Sequence, residues 1–402
     1  MNVLFLTLLD FSDLREKGIY TDLMKEFVDN NHNVYIISPI EKRKNIATNI
    51  IKKDNYQILK LQIGNVQKTN MVEKGISTLL LENQFVNGIK QYFSNVKFDL
   101  VIYSTPPITL RKAVDFVKRR DNAVSYLLLK DIFPQNAVDL GIITKKGIKK
   151  LIYSYFRYKE INLYKISDYI GCMSQANVEF LTKNNKGIIE NKVIEICPNT
   201  ITPSQPIKND KNRIRKKYEI PTNKTVFIYG GNLGKPQGID FLIDCINSNK
   251  NNEKVYFVIV GSGTEYQKLR DFLNKNKLTN IKLISQLPKT EYELLASSCD
   301  VGLIFLDYRF SIPNFPSRIL SYMQASMPIL AATDTSTDVG KIIEEGNFGY
   351  WCCSNDVNSF TEKIELLCDK EIVTRMGNNS RLFLEKNYTS KHSYKIIMKH
   401  FN

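Results

Sequence analysis

Residues 224–243 read KTVFIYGGNLGKPQGIDFLI, and this stretch decides the fold. An apolar run ends in a turn with four glycines and Lys235, and an amphipathic run opens at once behind it. A strand apolar on both faces that feeds straight into a helix belongs to a parallel α/β sheet covered on both sides. The amides of such a turn, the helix N-terminus and Lys235 can converge on a diphosphate. Because Lys235 is followed by Pro236 rather than Ser or Thr, the turn is not a Walker A loop. A second turn of this kind, VGSGTEY (260–266), closes the next apolar run. Two such turns at strand carboxyl ends point to a bound nucleotide.

Working outward, KVYFVIVG (254–261), IKLISQL (281–287), DVGLIFL (300–306) and PILAAT (328–333) continue the strand series. A separate series precedes it: VLFLTLL (3–9), VYIIS (34–38), YQILKLQI (56–63), DLVIYST (99–105) and AVSYLLL (123–129), with helical patterns at 19–30 and 107–120. Between the two lies CPNTITPSQPIKNDKNRIRKKYEIPTNK (197–224), whose Pro198, Pro203 and Pro206 mark a linker. The expectation is two doubly wound domains facing each other across a cleft, with ligands beyond the strand carboxyl ends.

The 402 residues suit two domains or three, and 43% hydrophobic with 24% charged residues is globular composition. No apolar run approaches the roughly 20 residues of a membrane span. The opening MNVLFLTLLD lacks a basic leader and a small-residue cleavage site, so it reads as a first buried strand and not as a signal peptide. Seven cysteines without a CxxC pair or a companion His argue against zinc and disulfides, and for small buried hydrophobes in a reducing compartment. The net charge of +15 calls for an anionic partner: nucleic acid, a membrane surface or a phosphorylated substrate. Residues 1–200 carry 29 basic and 20 acidic side chains (+9), and the rest 27 and 21 (+6). An excess spread this evenly ranks nucleic acid last.

The first βα turn, DFSDLREKGIY, holds Gly18 and no GxGxxG, which argues against NAD or FAD. Gly18 precedes the helix 19–30, where free amides favour an anion; the plainer reading is a loop glycine with an unusual dihedral. In RFSIPNFPSRILSYMQASMPILAATD (309–334), Ser317 is placed as an N-cap and Arg318 falls in the first turn. A cation there opposes the helix dipole; it either answers a bound phosphate or is a solvated arginine. Asp131, at the end of strand 123–129, either orients a sugar hydroxyl or caps the following turn. His32 reads as a surface loop residue, and His392 and His400 fall in the last helix. Residues 145–165, KKGIKKLIYSYFRYKEINLYK, carry seven basic side chains with Ile148, Leu151, Ile152, Tyr155 and Phe156 at helical spacing. Such a helix either rests on an anionic bilayer or packs its apolar stripe on the sheet.

Taken together, LLLKDIFPQNAVDLGII (127–143), GGNLGKPQGIDFLI (230–243), VGSGTE (260–265), ISQLPKTEYELLASSCDVGLIFL (284–306) and IPNFPSRILSYMQASMPILAATD (312–334) resemble the retaining glycosyltransferases of family 4. The likeness covers nearly the whole chain and is greatest to the fucosamine transferase-like branch of surface-polysaccharide enzymes. It implies the GT-B fold, with an acceptor domain to residue 200, a nucleotide-sugar domain over 201–385 and a final helix, 386–402, crossing back onto the first. It implies a UDP-sugar donor and a saccharide on a polyprenyl diphosphate as acceptor. The enzyme would be cytoplasmic, peripheral to the inner face of the membrane, and built for capsule or O-antigen synthesis.

The family's basic pair falls at Asn232 and Gln237, and its two glutamates at Pro313 and Ser321. The charge must then come from elsewhere, so Lys235 and Arg318 are the candidate catalytic cations, with Asp131 as third catalytic residue. The donor contacts expected are Gly18, Gly231, Asn232, Gly261, Ser262, Gly263, Gln286, Pro316, Ser317 and Ser321. Retaining transfer of this type needs positioning and charge neutralisation on the diphosphate. With no Asp-x-Asp pair in the chain, neither metal nor other cofactor is expected. A non-hydrolysing UDP-sugar epimerase and a catalytically inactive nucleotide-sugar-binding subunit stand as alternatives. Nucleic acid is not an expected partner.

Overall fold

A computed structural model describes residues 1–66, 69–147, 149–207 and 210–401. The chain divides into two compact units, Met1–Thr202 with Ser390–Asn402, and Pro203–Thr389. The first crossing falls among the prolines that marked the linker. That stretch is not all linker, because Lys211–Lys217 inside it is a helix capped by Asp210, which accepts from the amides of Asn212 and Arg213.

The first unit is built on eight strands: β1 (Asn2–Leu6), β2 (Asn33–Glu41), β3 (Asn49–Lys52), β4 (Tyr56–Ile63), β5 (Leu100–Ser104), β6 (Val124–Leu129), β7 (Tyr169–Cys172) and β8 (Val193–Ile196). Their order is β3-β4-β2-β1-β5-β6-β7-β8. The pairings are parallel except β3 with β4. The central strands are apolar because both faces are covered: Val3, Leu4, Phe5 and Leu6 are fully buried. Odd and even residues of the same strands feed opposite cores, Leu4 and Leu6 with Phe85 on one side, Val3 and Phe5 with Phe27 on the other.

The second unit has six parallel strands: β9 (Thr225–Asn232), β10 (Val255–Ser262), β11 (Ile281–Ile284), β12 (Val301–Phe305), β13 (Ile329–Thr333) and β14 (Gly349–Cys353). They are ordered β11-β10-β9-β12-β13-β14. Chain order reverses between β9 and β12, and these two strands pair through only Phe227–Val301 and Ile228–Gly302 before they separate. In a doubly wound sheet that switch point, beyond the carboxyl ends, is where a ligand is received.

The terminal segment Ser390–Met398 is a helix of the first unit. His32 Nε2 lies 2.9 Å from Tyr394 Oη, and His400, just past the helix, lies 2.8 Å from Glu195 Oε1 and stacks on Tyr169. Two expectations change here. His32 is 9% exposed and partnered rather than a surface loop residue, and His400 falls outside the helix. The cysteines are free; Cys172, Cys197, Cys245, Cys299 and Cys352 are buried, but Cys353 and Cys368 are partly exposed.

Candidate functional site

At the switch point of the second unit, β9 closes with Tyr229-Gly230-Gly231-Asn232, and the helix Arg318–Gln324 delivers Arg318 to it. The guanidinium stacks on the Tyr229 ring, 4.3 Å from its centroid. On Gly231, at φ +138°, a side-chain carbon would stand 3.3 Å from the Arg318 guanidinium carbon. Arg318 is thus held between an aromatic ring and bare backbone. Its Nη1 has no hydrogen-bond partner, and no carboxylate among the described residues pairs with it. Two further tyrosines complete the surround. The Tyr322 hydroxyl lies 3.2 Å from Ile228 O and 3.1 Å from Leu303 O, bridging the strands where they separate, and accepts from Gly230 N at 3.3 Å. Tyr292 occupies the space over Gly230, where an added Cβ would meet its hydroxyl at 2.0 Å. Burial pushes the Tyr322 phenol up to about 12, so it stays neutral.

The glycine turn after β9 is closed by its own side chains. Asn232 Nδ2 donates to Gln237 Oε1 at 3.1 Å, and the same oxygen accepts from Gly234 N at 3.3 Å. The two positions where the resembled family carries its basic pair are therefore a neutral, mutually bonded pair. Lys235 stands exposed at the start of the short 3-10 turn Lys235–Gln237. The Asp307 amide donates to Pro236 O at 3.0 Å, docking the segment after β12 against this turn. Asp307 itself is held by Arg309 at 2.6 Å.

The second glycine turn is packed against the first. A Cβ on Gly261 would stand 1.9 Å from Gly231 O, and one on Gly263 2.3 Å from Leu233 O. These glycines permit close approach of two backbones, and Ser262 between them is exposed. Gln286 lies exposed just beyond β11. Ser317 takes the N-cap position as expected, but its φ of −62° and ψ of −17° are already helical and its side chain makes no capping bond. The turn instead starts through Ile319 N to Pro316 O at 3.2 Å and Leu320 N to Ser317 O at 3.2 Å. Pro313 is buried and Ser321 exposed. The second unit thus brings Arg318, Gly231, Asn232, Lys235, Gly261, Ser262 and Gly263 to the carboxyl ends of β9 and β10.

Gly18 and Asp131 belong to the first unit. Gly18 has φ −179°, extended backbone open to any residue, which removes the unusual-dihedral reading. Its amide points to Asp22 Oδ1 at 3.3 Å, so the helix N-terminus already faces a carboxylate. Asp131 Oδ1 accepts from Asn136 Nδ2 at 2.9 Å, and burial raises its pKa. Lys130 beside it was not among the sequence candidates. Its Nζ donates to Cys197 O at 2.8 Å, and desolvation lowers its pKa to about 8. The available signal was a lysine closing the otherwise apolar run SYLLLK. Among the described residues, no three His, Cys, Asp or Glu side chains gather as a metal site.

Residues 210–383, most of the second unit, match the family model described as glycosyl transferases group 1. The chain is similar to the probable glycosyltransferase WbjE of Pseudomonas aeruginosa, 24% identical over 328 residues, 80% of this chain and 78% of that one. Among solved structures it resembles sucrose-phosphate synthase from Thermosynechococcus elongatus, with TM-score 0.77 and 13% identity, covering 100% of this chain and 98% of that one. Anabaena HepE in complex with UDP-glucose gives TM-score 0.67 and 14% identity, covering 100% and 99%. The fold is that of the GT-B glycosyltransferases, and the family match with the relative's name supports a glycosyltransferase of group 1 type.

Proposed function

We propose that the protein is a retaining, metal-independent glycosyltransferase that moves a sugar from a UDP-sugar to a saccharide on a polyprenyl diphosphate, in surface-polysaccharide assembly of the capsule or O-antigen kind. The donated sugar is taken to be N-acetylated or deoxy-amino, as in the fucosamine transferase-like branch. The observation that carries the reading is the unpartnered Nη1 of Arg318 at the switch point of the second unit. A diphosphate there would supply the counter-charge that the protein omits, and charge building on the leaving group is what such an enzyme must neutralise. Lys235 adds a second cation on the glycine turn. The UDP-glucose complex of HepE, a protein of the same fold, supports a nucleotide-sugar donor. The test is UDP release from a panel of UDP-sugars in EDTA, with and without a lipid-diphosphate saccharide. Transfer that persists in EDTA is expected. Interconversion of the UDP-sugar without acceptor would favour an epimerase. Binding without turnover would favour an inactive subunit, a reading the neutral Asn232–Gln237 pair keeps open.

Peripheral membrane contact belongs to the same proposal. In the helix Lys149–Ile166, Leu151 is 74% exposed, Tyr158 63% and Ile152 48%. Its first half therefore does not pack an apolar stripe on the sheet; Phe156 alone of that stripe's described members packs on the core, and Ile148 lies outside the described residues. Lys145, Lys146, Lys149 and Lys150, just ahead of these side chains in the chain, are exposed. On the helix Met71–Tyr92, Leu79 is 58% exposed one turn ahead of Glu82, which pairs with Lys159 at 2.7 Å. Exposed apolar side chains that follow lysines in this way fit an anionic bilayer. No helix among the described residues is long and apolar enough to cross a membrane. Leu151→Glu with Ile152→Glu is expected to abolish cosedimentation with phosphatidylglycerol vesicles and leave transfer to a short-chain soluble acceptor intact. Undiminished cosedimentation would remove this face from the proposal.

A further inference from the structure

Among the described residues of the first unit, four lysines have Nζ drawn into the protein, and Lys130 differs from the other three. Lys60, Lys118 and Lys159 each pair with a carboxylate, of Asp10, Asp168 and Glu82. Lys130 has none. Its ammonium donates to one neutral acceptor, Cys197 O at 2.8 Å, which leaves two of its three donors without a protein acceptor among the described residues. The titratable groups around it are the thiols of Cys172 and Cys197 and, next in the chain, the Asp131 carboxyl. Burial pushes Cys172 up to about 12 and raises Cys197, so neither thiol supplies a counter-charge. Burial likewise raises Asp131, whose Oδ1 is taken by Asn136.

Position gives this cation a use. Lys130 is the first residue past the carboxyl end of β6, the end of the sheet at which doubly wound units take ligands. Thr105 Oγ1 accepts its amide at 2.9 Å and fixes the backbone there. In the segment after the adjacent β5, Thr109 is 2% exposed, and its Oγ1 has no hydrogen-bond partner. Lys130 keeps partial exposure, so a ligand can reach it. A carbonyl needing one donor does not require an ammonium, and a cation drawn largely out of water with two donors unanswered by the protein is a standing cost. A negatively charged group answers both.

We infer that Lys130 is an acceptor-positioning residue whose ammonium binds an anionic group, phosphate or carboxylate, of the acceptor saccharide. This rests on the reading of the first unit as the acceptor side. A phosphate would come from the carrier diphosphate joined to a short acceptor, and a carboxylate from a uronate in the acceptor itself.

The test compares wild type, Lys130→Met and Lys130→Arg on three acceptors: octyl N-acetylglucosaminide, farnesyl-diphosphate-linked N-acetylglucosamine and octyl glucuronide. KM for each acceptor, Kd for the UDP-sugar and the melting temperature are read together. Lys130→Met is expected to raise KM for the charged acceptor at least tenfold at pH 7. It should leave UDP-sugar Kd and KM for the neutral acceptor unchanged and should not lower the melting temperature. Whichever charged acceptor shows the effect identifies the source of the anion. Because the ammonium form is lost as pH rises through about 8, wild-type KM for that acceptor should climb above pH 8, and Lys130→Arg should abolish the climb. An equal rise for neutral and charged acceptors, or a parallel fall in melting temperature, would assign Lys130 to structure and overturn the inference. Wild-type transfer with no change in Lys130→Met overturns it alone. Transfer by the wild type to none of the three overturns the acceptor reading, and this inference with it.

Discussion

Replacing Arg318 with alanine is expected to lower sugar transfer by roughly 10²–10³-fold, the loss seen when one preorganised charge-stabilising donor is removed from an active site. The second unit should keep its melting temperature or gain slightly. Both directions follow from the surroundings of the guanidinium. It stacks on Tyr229 at 4.3 Å, and no carboxylate among the described residues balances it. Stacking of this kind contributes about 1–2 kcal/mol, while desolvating a cation costs several kcal/mol. A structural arginine would be arranged the other way, with its charge paired, as Arg215 is with Asp300 at 2.6 Å. Arg318→Lys should fall between wild type and alanine, because it keeps the charge and loses the planar fork that stacks on the ring and that, on the proposed reading, would reach two phosphate oxygens. The measurements are kcat/KM with the preferred UDP-sugar and calorimetric UDP affinity. A falling melting temperature with an unchanged rate would make Arg318 a packing residue and remove the main support for the proposed function.

The longer apolar runs are legible in the sequence as strands, the edge strand β11 included, and little of the long-range chemistry is. Residues 56–63 were read as a strand and form β4, because YQILKLQI is long and apolar enough to announce itself. β3, β7 and β8 were missed: NIIK, YIGC and VIEI are four residues each, too short for any period to register. β14, GYWCC, lies at the sheet edge, where burial alternates only loosely along its five residues. At the site, Arg318 stood out locally as a cation in a first helical turn, but its partners did not. Tyr322 follows one turn later on Arg318's own helix, but Tyr229 and Tyr292 reach it from β9 and from the helix Lys289–Ala296, and no local pattern predicts that convergence. The glycines mislead for a related reason. A glycine needed to let backbone approach a phosphate and one needed to let backbone approach another strand look the same in sequence.

That ambiguity gives the second large effect, Gly261→Ala. An alanine Cβ at this position would stand 1.9 Å from Gly231 O and 3.4 Å from the Leu233 side chain. Because the first obstacle is backbone, relief requires the ends of β9 and β10 to move apart, where Gly231 pairs with Gly261 in register. Overpacking typically costs about 1–3 kcal/mol, and an obstacle of backbone rather than a mobile side chain puts this site at the upper end, about 3 kcal/mol. For a unit of this size that lowers the melting temperature by roughly 6–12 °C. Displacing Gly231 also removes one wall of the Arg318 slot, so UDP affinity should fall with stability in one variant. Ser262→Ala separates the two readings of the second turn. Ser262 is exposed, so its loss should leave the melting temperature unchanged. If the turn is only a buttress for the first, Ser262→Ala also leaves UDP affinity unchanged while Gly261→Ala weakens it. If Ser262→Ala weakens UDP binding without touching stability, the second turn contacts the nucleotide directly, and the buttress account of its glycines is insufficient.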